Sequence, residues 1–156
     1  MLDIYDELRK LVELLEAEMI DYALCGGLAM AVHGQPRATI DIDLLILSES
    51  SEKLIAAAAA LDYRIRGLDM SFANGVIEIR RVSKIDPEAG DLLSLDLLLV
   101  TTPILTVWES RIEVSWEAGK LAVVSPDGLI ALKRLRGSGQ DLDDIKKLQG
   151  TADAQG

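Results

Sequence analysis

Asp41 and Asp43 are separated by one residue in the run Ile40-Asp41-Ile42-Asp43-Leu44-Leu45-Ile46-Leu47. On an extended chain this spacing sends both carboxylates to one face, about 7 Å apart along the backbone, while Ile40, Ile42, Leu44 and Ile46 line the other. Two acids fixed side by side in an apolar strand repel each other and lose hydration, at roughly several kcal/mol for each unpaired buried charge. A divalent cation relieves both problems, and ligands that are all oxygen favour magnesium or manganese. Asp96 repeats the theme as the sole charge in Leu92-Leu93-Ser94-Leu95-Asp96-Leu97-Leu98-Leu99-Val100. If its strand lies beside that of Asp41 and Asp43, three carboxylates converge. That is a donor set for two ions about 3.5–4 Å apart, which clamp the attacking and leaving oxygens of a phosphoryl transfer. The alternative is a strand end facing water, with Arg37 as counter-ion.

The elements that must position these acids are legible from pattern. Tyr22-Ala23-Leu24-Cys25 reads as a short buried strand stopping at Gly26-Gly27, and Leu28 to Val32 as a short helix closed by Gly34 and Pro36. A glycine pair between strand and helix admits phosphate oxygens to backbone N–H groups at the positive helix end, or simply supplies positive φ. Residues 3 to 19 space Leu8, Leu11, Val12, Leu15 and Met19 as one helical face, with Glu7, Glu13, Glu16 and Glu18 turned mostly to solvent. Ser48 to Leu61 is an alanine-rich helix. Asn74-Gly75 marks a hairpin between residues 70–73 and 76–79, residues 83 to 91 form a loop, and a second hairpin turns near Ala118-Gly119. Thr102-Pro103 opens a short helix. Ser125-Pro126 caps a helix through Leu135, and Asp141 precedes a last helix to about Leu148, with Asp144 a first-turn acid. The expected fold class is α+β, a mixed sheet flanked by helices in one domain over residues 1–150, with 151–156 a frayed tail.

A chain of 156 residues with a formal charge of −10 has the length of one domain, and its balance argues against a general coat for nucleic acid. The lone Cys25 cannot pair within the chain. No apolar run is long enough for a membrane span, and the start lacks the pattern of a secretory signal, so a cytoplasmic protein without a membrane partner is expected. With His33 the sole histidine, a catalytic triad or multi-histidine zinc site has no support, and Cys25 reads as packing. Arg64, Arg66, Arg80, Arg81 and Lys84 form either an anionic acceptor groove or a solvated strand face. Lys133, Arg134 and Arg136 suit the C-terminal end of a helix dipole.

Gly26-Gly27, thirteen intervening residues, and then Asp41-x-Asp43, with Arg37 and Thr39 just before, resembles the signature of the polymerase-beta-like nucleotidyltransferase superfamily. Within it, CGGLAMAVHGQPRATIDIDLLI is most similar to the AbiEii-type nucleotidyltransferases, which include toxins of bacterial abortive-infection systems. The resemblance continues through Asp96 to the SPDGLIALK stretch at residues 125–133. The Arg-x-Lys-Asp element of that group is replaced here by Ser138-Gly139-Gln140-Asp141.

The resemblance implies a nucleotidyltransferase fold and magnesium-dependent transfer of a nucleoside monophosphate from a nucleoside triphosphate to an acceptor hydroxyl on RNA, protein or a small molecule. It implies metal ligation and catalysis by Asp41, Asp43 and Asp96, with two magnesium ions. Nucleotide binding falls to Gly26, Gly27, Arg37, Thr39 and Lys133, Lys133 reaching a phosphate. It also implies a cognate antitoxin or a second copy as protein partner, a non-catalytic nucleotide-binding module being the alternative.

Overall fold

A computed structural model describes residues 3–35, 41–136 and 144–150. Arg37, Thr39, Asp141, the 138–141 element and the 151–156 tail therefore lie outside the described residues.

Five of the strands carry the core. β1 (Tyr22–Cys25), β2 (Asp41–Leu47) and β6 (Leu92–Val100) are the apolar runs, and β5 (Ile77–Ile85) and β8 (Gly119–Val123) extend the sheet on either side. With β3 (Ile65–Arg66), β4 (Met70–Phe72) and β7 (Ile112–Trp116) they build one mixed sheet in the order β3-β5-β6-β2-β1-β8-β7, β4 pairing with β5. β2 runs parallel to β6 and β1 parallel to β8, while β1–β2, β5–β6 and β7–β8 are antiparallel.

Alternation of side chains sends Ile42, Leu44 and Ile46 to one face, all fully buried. Helix α1 (Ile4–Ala17), capped by the Asp3 carboxylate accepting from the Tyr5 N–H at 2.9 Å, packs on that face with α3 (Ser51–Ala58). Helix α2 (Gly26–Val32) leaves directly from the end of β1. The short α4 (Leu105–Glu109) and α5 (Pro126–Arg136) pack together, and residues 144–150 are helical again. Ser125 caps α5 as its sequence predicts, its Oγ accepting from the Gly128 N–H at 3.1 Å. No described helix is long and apolar enough to cross a membrane.

Three local expectations need correction. β5 continues through Ile85, which pairs with Leu92, so the connection is residues 86–91, closed by the Asp86 N–H donating to Asp91 O at 2.8 Å. At the Asn74-Gly75 hairpin Phe72 pairs with Ile77, so four residues form the turn, Ala73 and Asn74 both adopting left-handed backbone. Glu7 does not face solvent. It is 2% exposed, and its Oε2 accepts from Lys84 Nζ at 2.6 Å and from the Tyr63 hydroxyl at 3.0 Å. Lys84 also donates to Leu61 O at 3.0 Å and lies over the Tyr63 ring, so this buried cluster ties α1 to β5.

Candidate active site

The register of the sheet decides where the acids go. Asp43 pairs with Asp96 across the parallel β2–β6 ladder, with Cys25 across the antiparallel β1–β2 ladder, and Asp96 in turn faces Arg81 on β5. Residues directly opposite in a sheet share a face. Asp41, Asp43, Asp96 and Arg81 therefore stand together on the face opposite α1. Cys25, Gly26, Asp43 and Asp96 line a pocket closed by Ile77, Ile79 and Leu98 from the sheet and by Leu129, Leu132, Lys133 and Arg136 from α5. The sheet places the three acids on one face of two neighbouring strands, with Asp43 and Asp96 lining the pocket and Asp41 one step along β2 from them.

Gly26 makes the close approach possible. Its φ is +67°, a left-handed conformation that glycine adopts without steric cost, and a Cβ there would stand 2.6 Å from Asp43 Cγ and 2.8 Å from Asp43 Cβ. The glycine thus lets the carboxylate pack against the first turn of α2. Cys25, at the N-cap, supplies no side-chain cap to that turn. Gly27 is the second residue of the helix.

A Gly26→Ala variant is expected to lose about 1–2 kcal/mol to the left-handed backbone alone, and more to displacement of Asp43. In an Asp43→Ala background the second part vanishes. A four-member thermal-denaturation cycle checks this; equal costs of Gly26→Ala in both backgrounds would refute the contact.

Burial first, then the charges of Asp96 and Asp41, push the Asp43 carboxyl up to about 7. Asp41 is raised by burial and by Asp96, with Arg81 opposing. Among the described residues no hydrogen bond or ion pair reaches the Asp43 carboxylate. Asp96, 7% exposed, is differently placed: it accepts a two-pronged interaction from Arg81, Nε to Oδ1 at 2.6 Å and Nη2 to Oδ2 at 2.9 Å. Burial and the neighbouring Asp43 push the Cys25 thiol well up, so it is a packing group and no nucleophile.

No three carboxylate, imidazole or thiol groups among the described residues close on a metal by themselves. Magnesium is normally held by one or two carboxylates together with substrate phosphates. The oxygen-only pair Asp41 and Asp43, raised and mutually repelled, fits that requirement.

Lys133 lines the pocket, but its Nζ lies 3.0 Å from Asp144 Oδ2, both side chains being buried. The acid read as a first-turn residue is thus an ion-pair partner. The basic residues 64–84 are also matched by acids. Arg64 meets Asp62, Arg66 meets Glu52 and Asp69, Arg80 meets Asp69 and Glu78, and Lys84 meets Glu7. They are no open cationic groove. His33 closes α2, its Nε2 2.8 Å from Val124 O.

Arg81 is the site residue that sequence reasoning left among surface cations. The signal was available: counting back along both strands from the Ile85–Leu92 pair places Arg81 opposite Asp96.

No family model and no curated protein matches this chain. Solved structures do. A candidate nucleotidyltransferase from Thermotoga maritima is similar with a TM-score of 0.65 at 14% identity, over 94% of this chain and 92% of that one. The antibiotic-resistance factor ANT(2'')-Ia is similar in its solution structure (TM-score 0.61, 15% identity, 96% of this chain and 82% of that one). It is also similar in a crystal structure with adenylyl-2''-tobramycin (TM-score 0.61, 14% identity, 97% and 88%). The chain has the nucleotidyltransferase fold.

Proposed function

We propose that this chain is a divalent-metal-dependent nucleotidyltransferase that moves a nucleoside monophosphate from a nucleoside triphosphate to the hydroxyl of a small molecule. The observation that carries the reading is the Asp43 carboxylate, seated against Gly26 at the pocket wall without a partner among the described residues, its charge destabilised by burial and by two neighbouring acids. Half-buried at the pocket wall, the carboxylate carries a charge that a cation bound there would stabilise.

In this reading Asp41 and Asp43 hold magnesium, or manganese, which when bound neutralises the triphosphate and polarises its α-phosphoryl group. The first N–H groups of α2, at Gly26 and Gly27, face the triphosphate, where the uncapped helix start favours an anion. Arg37 and Thr39 join them, on the strength of the sequence resemblance. Arg136 brings positive charge to the opposite wall, where the Lys133 charge is matched by Asp144. The acceptor oxygen forms a bond to the α-phosphorus, the bond to the bridging oxygen breaks, and pyrophosphate leaves; the hydroxyl proton departs through a carboxylate of the site. Positioning and charge neutralisation supply the rate.

A small acceptor is favoured over RNA because the cations of residues 64–84 are already engaged by acids and the pocket wall is largely aliphatic. ANT(2'')-Ia, a structural neighbour, is seen with adenylyl-2''-tobramycin. The AbiEii-type reading, with a toxin role and a cognate antitoxin or second copy as partner, is carried by the sequence segment around Gly26 to Ile46. The cytoplasm is the setting proposed for this chemistry, in keeping with the buried, unpaired Cys25.

The test is to incubate the chain with each labelled nucleoside triphosphate, magnesium and cell extract. Label is expected in the small-molecule fraction, and none with the Asp41→Ala/Asp43→Ala variant. Label in RNA would move the acceptor class. Equal magnesium-dependent nucleotide binding by both proteins in isothermal titration would defeat the site.

A further inference from the structure

Asp96 is expected from sequence to share metal ions with Asp41 and Asp43, yet each of its oxygens already accepts a hydrogen bond from Arg81. The fork is built with care. The β5–β6 register puts Arg81 directly opposite Asp96, and Gly67 makes room for the arginine stem. A Cβ at Gly67 would stand 3.2 Å from both Cβ and Cγ of Arg81, and the Gly67 N–H donates to Arg81 O at 2.9 Å. A guanidinium stays charged at any working pH, and its planar donors match a carboxylate in a way that a hydrated ion does not.

We propose that Arg81 is the resident second cation of the site: it satisfies Asp96 permanently, so that Asp41 and Asp43 bind a single divalent ion with the nucleotide. The inference rests on the metal-dependent reading above and deepens it. A divalent ion at Asp96 would have to share a carboxylate whose two oxygens each already accept from Arg81, and sit beside that positive charge. The ion at Asp41 and Asp43 meets no such obstacle on Asp43, where burial and like charge already call for a cation. Arg81 is accordingly a positioning residue: it fixes the Asp96 carboxylate and supplies charge without touching the reacting atoms.

Counting manganese tests this without reference to activity. The chain is loaded with Mn²⁺ and a non-hydrolysable ATP analogue, and bound metal is measured by equilibrium dialysis and by electron paramagnetic resonance, in which two ions at bridging distance give an exchange-coupled spectrum. The wild type is expected to hold one uncoupled ion per chain. Asp96→Asn should still hold one. Arg81→Met, which keeps the stem against Gly67, should take up a second, coupled ion. The Arg81→Met/Asp96→Asn double variant removes the pair whole, covering the case in which Arg81→Met alone fails to fold, and should hold one.

Two coupled ions in the wild type, falling to one in Asp96→Asn, would overturn the proposal while leaving the nucleotidyltransferase reading intact. An unchanged count in folded Arg81→Met would overturn it as well. No manganese bound to the wild type with nucleotide present would overturn the metal reading itself, and this proposal with it.

Discussion

Asp43→Asn is expected to abolish magnesium-dependent nucleotide binding and, in the same protein, to raise thermal stability at pH 8. The Asp43 carboxyl is pushed up to about 7 by burial and by its acidic neighbours, against an unfolded value of 3.8. Between those values the folded chain binds a proton that the unfolded chain has released. Stability without metal therefore falls as pH rises through that window, and the full penalty is present above about 7. Asparagine has nearly the same shape and no charge to bury. After allowance for its own unsatisfied amide, a gain of about 1–3 kcal/mol at pH 8 is expected, or roughly 3 °C of melting temperature per kcal/mol at this size.

At pH 4 the two proteins should melt together, because the aspartic acid is neutral in the folded state. Melting curves in EDTA at both pH values, repeated with magnesium and a nucleoside triphosphate, make the comparison. Only the wild type should be stabilised by the ligands. An Asp43→Asn protein less stable than wild type at pH 8 in EDTA would show that the carboxylate is a structural group.

Lys84→Met is expected to produce the largest loss of stability of any single change proposed for this chain. Lys84 and Glu7 are both buried, and the cluster also holds the Tyr63 hydroxyl and the Leu61 carbonyl. Burial, and after it the Glu7 charge, raise the Tyr63 hydroxyl, so the phenol stays protonated and donates. Methionine keeps the length of the lysine stem but leaves the Glu7 charge buried with one hydrogen bond. Breaking a buried pair from one side typically costs about 3–5 kcal/mol, while replacing both members by groups of like volume is nearly neutral. The Glu7→Gln/Lys84→Met double variant should therefore recover most of the loss in urea denaturation, with the pocket and its ligand binding unaltered. Additive losses would mean that the two residues act separately.

How much of this was legible in the sequence depends on the range of the interaction. Asp41 and Asp43 were readable because a period of two on one strand fixes the face without knowledge of any neighbour. Gly26 was readable as a turn, but its particular duty, clearing the Asp43 carboxylate, depends on the β1–β2 register. Arg81 was hidden by a loop drawn from residue 83. Once the strand is seen to run to Ile85, its place opposite Asp96 follows. Glu7 looked like a surface acid because helical periodicity reports the apolar stripe and cannot show a lysine descending onto its edge from a strand some eighty residues away. Asp144 was read from its place in a helix, whereas its role is set by Lys133 on another. Only at residues 83–85 did the local pattern itself fail; elsewhere it survived and the long-range partner was missing.

The order in which the parts emerge during synthesis has a consequence of its own. The strands bearing the acids are complete by Val100, but β1 gains its outer neighbour only with β8, and the pocket wall only with α5, ending at Arg136. A nascent chain halted in between exposes a strand border and an assembled cluster of negative charge with no roof. Closure of the pocket thus waits on α5, well after the acids themselves have been laid down side by side.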